Sequence, residues 1–269
     1  MHRAGSATDG RRRAMELYAY ERRRWLVDQA RQAGRIDVAE VARELTVAKE
    51  TVRRDLTALE AEGLLRRVHG GAIPVERLGF EGTLALRNTS RTDEKGRIAD
   101  HAIGLVGTAE SIYLDEGSTT QAVAERLTPR RPLTVVTNSL PIALVMAPRD
   151  QVSVVLIGGR VRGKTLGTID HWALRMLEDF VFDLSVLGTN GLTLERGATC
   201  PDAAVAAIKA RAVSASRRTL LVTDSSKLGS DSSYRFAQAR DFSTIVTDRS
   251  ANEGQIRRLR AIGVEAVMV

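Results

Sequence analysis

The chain has 269 residues, enough for one large core or two domains, and a formal net charge of +7. No apolar run approaches the ~20 residues of a membrane span. No apolar segment follows the N-terminal arginines either, so the expected location is the cytoplasm, with no membrane partner. The single cysteine, Cys200, excludes an internal disulfide and suits a reducing compartment. Charge is uneven: the first 75 residues hold 15 Lys+Arg against 11 Asp+Glu and the rest hold 25 against 22. The N-terminal part is therefore the more densely basic, as a surface facing phosphate would be.

Residues 1–16 read as a flexible basic tail, and a first helix is expected over 19–33. Arg22, Arg23 and Arg24 on that helix could add phosphate contacts. Ile36, Val38, Val41, Ala42 and Leu45 then recur at helical spacing, with Asp37 placed to cap a short helix. After Thr46 and Val47 a second periodic run follows: Val52, Leu56 and Leu59. Its other face carries Lys49, Glu50, Thr51, Arg53, Arg54 and Thr57, side chains able to reach base edges and phosphates. Glu50 and Arg54 could equally form an ordinary surface pair. Gly63 suits a left-handed cap at the end of this helix. Leu64 and Leu65 open a strand, Arg66 and Arg67 continue it, and His69-Gly70-Gly71 makes a turn. Short helix, tight turn, basic helix and basic hairpin in that order predict a winged helix-turn-helix over 17–73, made to put one helix into a DNA major groove. Such modules pair across two half-sites, so a homo-oligomer, dimer or tetramer, is expected on a double-stranded operator.

Residues 74–91 read as a linker, and 92–269 as a larger α/β domain. Helices are expected over 94–106, 119–127, 140–147, 171–177, 202–216 and 252–261. Strands are expected over 112–114, 133–137, 152–157, 184–187, 219–223, 244–247 and 266–269. Short Val/Leu/Ile strands alternating with helices predict a mostly parallel sheet covered on both faces, with ligands at the carboxyl ends of its strands. Those ends are small or polar. Asp115, Glu116, Gly117, Ser118, Thr119 and Thr120 follow one strand, and Asn138 and Ser139 the next. Gly158, Gly188, and Asp224 with Lys227 follow three others. Amides at a helix start and a lysine suit phosphate; Asp and Asn suit hydroxyls. No metal site, cofactor or catalytic residue is assigned.

Gly158-Gly159-Arg160-Val161-Arg162-Gly163-Lys164-Thr165 also fits the nucleotide-binding P-loop pattern. Its mechanism needs a helix starting at the lysine, whereas Thr165, Gly167, Thr168 and Ile169 are poor helix openers.

TVRRDLTALEAEGLLRRVHGGA (51–72), YLDEGSTT (113–120), VVTNSLPIAL (135–144), VLIGGRV (155–161) and DSSKLG (224–229) together resemble DeoR-family transcriptional regulators, over about residues 17 to 250. The resemblance implies a repressor of carbohydrate or related metabolism genes, controlled by a phosphorylated metabolite such as a sugar phosphate. It also implies a sensor related to ribose-5-phosphate isomerase and glucosamine-6-phosphate deaminase that does not turn its ligand over. On that view Asp115, Gly117, Ser118, Thr119 and Thr120 form the phosphate and sugar loop, and Asn138, Gly158, Gly188, Lys209, Asp224 and Lys227 line the same pocket. Two features depart from the family pattern. Ala48 replaces the usual Ser that caps the recognition helix, a cap worth ~0.5–2 kcal/mol. Ala204 and Val205 stand where acidic residues usually precede the lysine. The alternatives are an isomerase- or deaminase-like enzyme fused to a DNA-binding module, with Asp115 or Asp224 as base, and a P-loop nucleotide-dependent regulator.

Overall fold

The apolar spacing at the N-terminus becomes three helices around one small core. The computed structural model describes residues 19–33, 35–62, 64–68, 70–74 and 84–269, and the chain divides into two compact units, Met1–Arg77 and Leu78–Val269. The expected tail, the Gly63 cap and residues 75–83 of the expected linker lie outside the described residues. The first unit runs α1 (Ala19–Ala33), β1 (Ile36–Asp37), α2 (Val38–Glu44), α3 (Lys49–Ala61), β2 (Leu65–Val68) and β3 (Gly71–Pro74). Leu26, Ile36, Val52, Leu56, Leu59 and Leu65 are buried together, each such side chain contributing roughly 1.5–3 kcal/mol.

Asp37 caps α2, its Oδ1 accepting from the N–H groups of Ala39 (2.7 Å) and Glu40 (3.1 Å). Those Glu40 and Ala39 bonds hold its carboxyl below the ordinary carboxylate range. A capping residue is extended, here at φ −103° and ψ 133°. Ile36, expected on the helix, therefore forms a short strand with Asp37 instead. That strand pairs antiparallel with β3, making the hairpin a three-stranded sheet of order β1-β3-β2.

Asp55 has no counterpart in the apolar pattern, yet it is 2% exposed on the inner side of α3. It accepts from Arg22 Nε (2.5 Å) and Arg23 Nε (3.0 Å) of α1. Two of the arginines expected to add phosphate contacts thus fasten α1 onto α3.

The second unit begins with α4 (Leu84–Asn88), inside the stretch expected to be linker, with Leu84 buried. Then come α5 (Thr92–Val106), β4 (Ser111–Leu114), α6 (Ser118–Arg126), β5 (Leu133–Thr137), α7 (Leu140–Met146) and β6 (Val152–Leu156). A hairpin, β7 (Arg160–Arg162) and β8 (Gly167–Ile169), precedes α8 (His171–Leu177), β9 (Leu184–Leu187), β10 (Gly191–Thr193) and β11 (Gly197–Cys200). The chain continues through α9 (Ala203–Ser214), β12 (Thr219–Val222), β13 (Tyr234–Ala237), β14 (Thr244–Thr247), α10 (Glu253–Ala261) and β15 (Glu265–Met268). Seven strands form one sheet, in the order β15-β14-β12-β9-β4-β5-β6, with every pairing parallel.

The chain lays β4, β5 and β6 outward, then returns to the other side of β4 with β9. The strand order therefore reverses between β4 and β9, the place where open α/β sheets hold ligands. Ile98, Val123 and Ile142 belong to the apolar cluster on one face, and Leu177, Phe182 and Ile208 to the other. Two features escaped the periodicity: the β7–β8 hairpin and a small antiparallel sheet of order β10-β11-β13. Their strands are three or four residues long and carry Arg160, Arg162, Thr193 and Arg235, so they lack the apolar run that marks a central strand. No described helix is long and apolar enough to cross a membrane.

The Asp55 arrangement yields a test. Asp55→Asn keeps the shape but removes the charge that both arginines meet, and should cost the first unit about 2 kcal/mol. A lowered first transition in calorimetry of the whole chain, with the second unit's transition unmoved, is the expected result.

Candidate functional site

Burying Val52, Asp55, Leu56 and Leu59 turns the opposite side of α3 to solvent. Lys49, Glu50, Arg53, Arg54 and Thr57 are exposed there and Thr51 is half-buried. Ala48 opens the helix in an extended conformation with no side-chain cap bond. Glu50 pairs with Arg53 (3.3 Å), one residue nearer than Arg54. An exposed pair of this kind is worth under ~1 kcal/mol, so it holds Arg53 only lightly. Arg67 ties the hairpin to α3: its N–H donates to Glu60 Oε1 (2.8 Å) and its Nη1 to Thr57 Oγ1 (3.1 Å). The Arg66 side chain and His69 lie outside the described residues.

In the second unit the strand reversal brings two chain segments together. Asp115 follows β4 and Gly188 follows β9. The Asp115 N–H donates to Val186 O (3.1 Å), and the Gly188 N–H donates to Asp115 Oδ2 (3.0 Å). Lys209, from the middle of α9, donates to that same Oδ2 and to Gly188 O (3.1 Å). Asp115 and Lys209 are both buried, and the Lys209 ammonium also faces the Phe236 ring at 5.4 Å from its centroid. Burial is the largest single influence and works against the Lys209 charge, but Asp115, Cys200 and Glu116 together outweigh it and raise the ammonium above its usual range. Asp115 Oδ1 is buried with no hydrogen-bond partner among the described residues.

Beside this pair the chain enters α6. Gly117 is its N-cap at φ +143°, a conformation that side chains resist. Ser118 is half-buried; Thr119 and Thr120 are buried, and Thr120 Oγ1 donates to Gly117 O (3.0 Å). The Gly188 backbone lies against Thr120 as well as Asp115. Asp115, Gly117 to Thr120, Gly188 and Lys209 therefore form one group.

Asn138 and Gly158 are turned elsewhere. Asn138 Oδ1 accepts from Tyr113 Oη (2.9 Å) and its Nδ2 donates to Thr168 O (3.1 Å). The Gly158 N–H points at Met176 Sδ (3.2 Å). Both serve the β7–β8 hairpin and α8. The Gly-Gly segment leads into β7, which pairs antiparallel with β8, so Lys164 sits in a hairpin turn and no helix begins there. That removes the nucleotide-loop reading, whose phosphate cradle depends on the helix N-terminus. Arg162 of the hairpin reaches Asp202 (3.2 Å), the cap of α9. A Cβ on Gly167 would fall 1.7 Å from Glu116 Oε2, so glycine lets the hairpin close over the Asp115 loop. The Asp202 cap accepts from the N–H groups of Ala204 and Val205.

Asp224 and Lys227 make a second group, after β12. Asp224 Oδ1 accepts from the Ser226 N–H (3.1 Å) and lies 3.6 Å from Arg91 Nε. Lys95, which sequence reasoning missed, belongs here. It is buried and donates to Arg87 O and to Ser90 O (2.7 Å). A lysine in the first turns of an amphipathic helix reads as a solvated charge, and nothing in its spacing marks it otherwise. Burial, with Arg87, Lys227 and Arg91 nearby, lowers its pKa from 10.5 to about 8, although Asp224 acts in the opposite sense. Between those values the unfolded chain holds a proton that the folded chain has lost, so stability gains from this group as pH rises from about 8 to 10.5. A side-chain NMR titration of Lys95 should give a midpoint of about 8. Asp224→Asn, which removes the charge-stabilising carboxylate, should lower it further; an ordinary lysine midpoint would contradict the burial.

Comparison with known proteins bears on both units. The model described as DeoR-like helix-turn-helix domain matches residues 22–77, and the one described as DeoR C terminal sensor domain matches 90–249. The chain is 33% identical to the HTH-type transcriptional regulator GlpR of Haloferax volcanii, over 92% of this chain and 96% of that one. It is 32% identical to the uncharacterized HTH-type transcriptional regulator FruR of Bacillus subtilis, over 85% and 90%. With the HTH-type transcriptional repressor GlcR of Bacillus subtilis it shares 28% identity, over 94% and 97%. Among solved structures, ribose 5-phosphate isomerase A of Methanocaldococcus jannaschii superposes on 52% of this chain and 55% of that one, at 16% identity and a TM-score of 0.39, too loose to carry the comparison further. The chain belongs to the DeoR family of helix-turn-helix transcriptional regulators.

Proposed function

We propose that this regulator binds operator DNA through α3 and its hairpin, represses genes of carbohydrate or related metabolism, and is controlled by a phosphorylated metabolite that it does not turn over. The observation that carries the DNA reading is the exposed face of α3, with Lys49, Glu50, Arg53 and Arg54 opposite a buried apolar seam. Lys49, Glu50 and Thr51 at the helix start suit base edges, while Arg53, Arg54 and Thr57 suit phosphates. Arg66, Arg67 and His69 of the hairpin would meet the flanking backbone, and the Arg67 bonds to α3 set that hairpin's angle.

For the effector, the α6 N-terminus at Ser118 and Thr119 offers amides to a phosphate, and Lys95 and Lys227 add positive charge. Asp115 Oδ1 offers an acceptor to a ligand hydroxyl, which would relieve a buried unpaired oxygen. Asn138 and Gly158 then shape the wall rather than contact the ligand. Two features weigh against turnover, which needs a carboxylate free to take a proton from carbon. Asp224 is held by Ser226 and Arg91, and Ala204 and Val205 bring no acid. The relative named a transcriptional repressor supports the sign of regulation.

The direct test selects bound fragments from genomic DNA, then measures operator affinity with and without sugar phosphates. No specific fragment at moderate salt would remove the reading. Arg54→Ala should weaken operator binding roughly tenfold and flatten the salt slope by about one unit. Ser118→Glu places a carboxylate where the phosphate would sit. It should abolish the effector response while operator affinity without effector stays at the wild-type value, since an effector acts only through its differential affinity for two states.

A further inference from the structure

Four carboxylates stand on α3 or at its end: Glu50, Asp55, Glu60 and Glu62. Three of them are spent inside the first unit. Asp55 accepts from Arg22 and Arg23 of α1. Glu62 lies 3.9 Å from Arg23 Nη1. Glu60 Oε1 accepts from the Arg67 N–H of the hairpin (2.8 Å). Glu50 stands apart, in the first turn and on the exposed face. Its ion-pair partner among the described residues is Arg53 (3.3 Å), itself a member of that face. The two side chains are 71% and 54% exposed, so packing fixes neither. Thr57, the next outward residue, is already engaged: its hydroxyl donates to Arg53 O (2.9 Å) and accepts from Arg67 Nη1 (3.1 Å).

An acid in the first turn complements the helix dipole. On a face brought against phosphates, like-charge repulsion opposes that gain. An ionised carboxylate accepts hydrogen bonds and donates none. In the major groove it is therefore repelled by guanine, which presents N7 and O6, and by thymine, which presents O4. Adenine sets the N7 acceptor beside its N6 amino group. Cytosine offers its N4 amino group with no acceptor of its own beside it. We propose that Glu50 is a specificity-determining residue, reading a cytosine of the operator through N4 while Arg53 steadies its carboxylate. This rests on α3 being the helix that enters the groove, where residues of the first turn meet base edges. Glu50 selects by rejection as well as by attraction, since every other base leaves its charge against an acceptor. Arg53 has five N–H donors, enough to hold Glu50 with one and a phosphate with others. The pair thus links the reader of a base to the backbone beside it.

Selection from a randomised duplex library with the intact chain tests the proposal. The wild type should return a motif with a cytosine whose replacement weakens binding roughly tenfold. Glu50→Gln should move the preference at that position toward adenine, whose N6 and N7 suit an amide, and leave the other positions as they were. Glu50→Ala should lose the preference there, yet bind unrelated duplex at least as tightly as the wild type, because a charge repelled by phosphate has gone. A carboxylate that served only the helix end would behave differently: its removal would weaken binding to the motif and to unrelated duplex alike. That result, or a motif that neither substitution alters, would overturn the proposal and leave the DNA-binding reading standing. A wild type that returns no motif would remove both.

Discussion

The contact on which the second unit turns is the buried pair between Asp115 and Lys209. It joins the end of β4 to the middle of α9, across the place where the strand order reverses. Without the lysine, the carboxylate would be a charge left in an apolar interior, which costs several kcal/mol. Without the carboxylate, the ammonium would be equally stranded. Gly188 is drawn in from β9 and offers both its N–H and its carbonyl oxygen to the pair. Three segments far apart in the chain are thus held at one point, and the loop running into α6 inherits its position from them. A ligand of the proposed kind would meet a preformed arrangement there.

The β7–β8 hairpin is the lid of that arrangement, and its sequence is the one most easily misread. Gly158 to Thr165 satisfies a nucleotide-loop pattern as a string of letters. What decides is the backbone that follows. Thr165, Thr168 and Ile169 are stiff at χ1 and favour extended chain, so the segment doubles back as a hairpin. The glycines then serve packing: Gly167 passes over Glu116 where a side chain would collide. At the hairpin tip, Lys164 O accepts from the Leu84 N–H (2.7 Å). The first turn of α4 is thereby tied to the element that covers the Asp115 loop.

How much was legible follows from what period and spacing can encode. The helices with one buried face were readable nearly to their ends, as was the exposed basic face of α3, because burial on one side forces a 3.6-residue rhythm. The parallel strands were readable because burial on both faces forces an apolar run. Charged residues that face inward break both rules. Asp55 reads as a surface acid within a polar helix until Arg22 and Arg23 are seen against it. Lys95 reads as solvated for the same reason. Lys209 was recovered through family resemblance, yet a trace was present: it stands between Ile208 and Ala212 on a face where every neighbour is small or apolar. Asn138 was readable as a polar strand end, but which way its amide points depends on Tyr113 and Thr168, which spacing alone does not bring together.

Ala48 has a consequence for how α3 behaves. Its methyl group cannot accept a hydrogen bond, so the amides of the first turn of α3 have no capping side chain from that position. A helix end in that condition is an electropositive socket. An anion seated there does for the helix what a serine hydroxyl does elsewhere, but only while it stays. Ordering of that turn then becomes linked to occupancy, and part of the free energy of meeting an anion goes into tightening the turn. An operator phosphate seated there would finish the first residues of the helix, and their precision would then belong to the complex more than to the free protein.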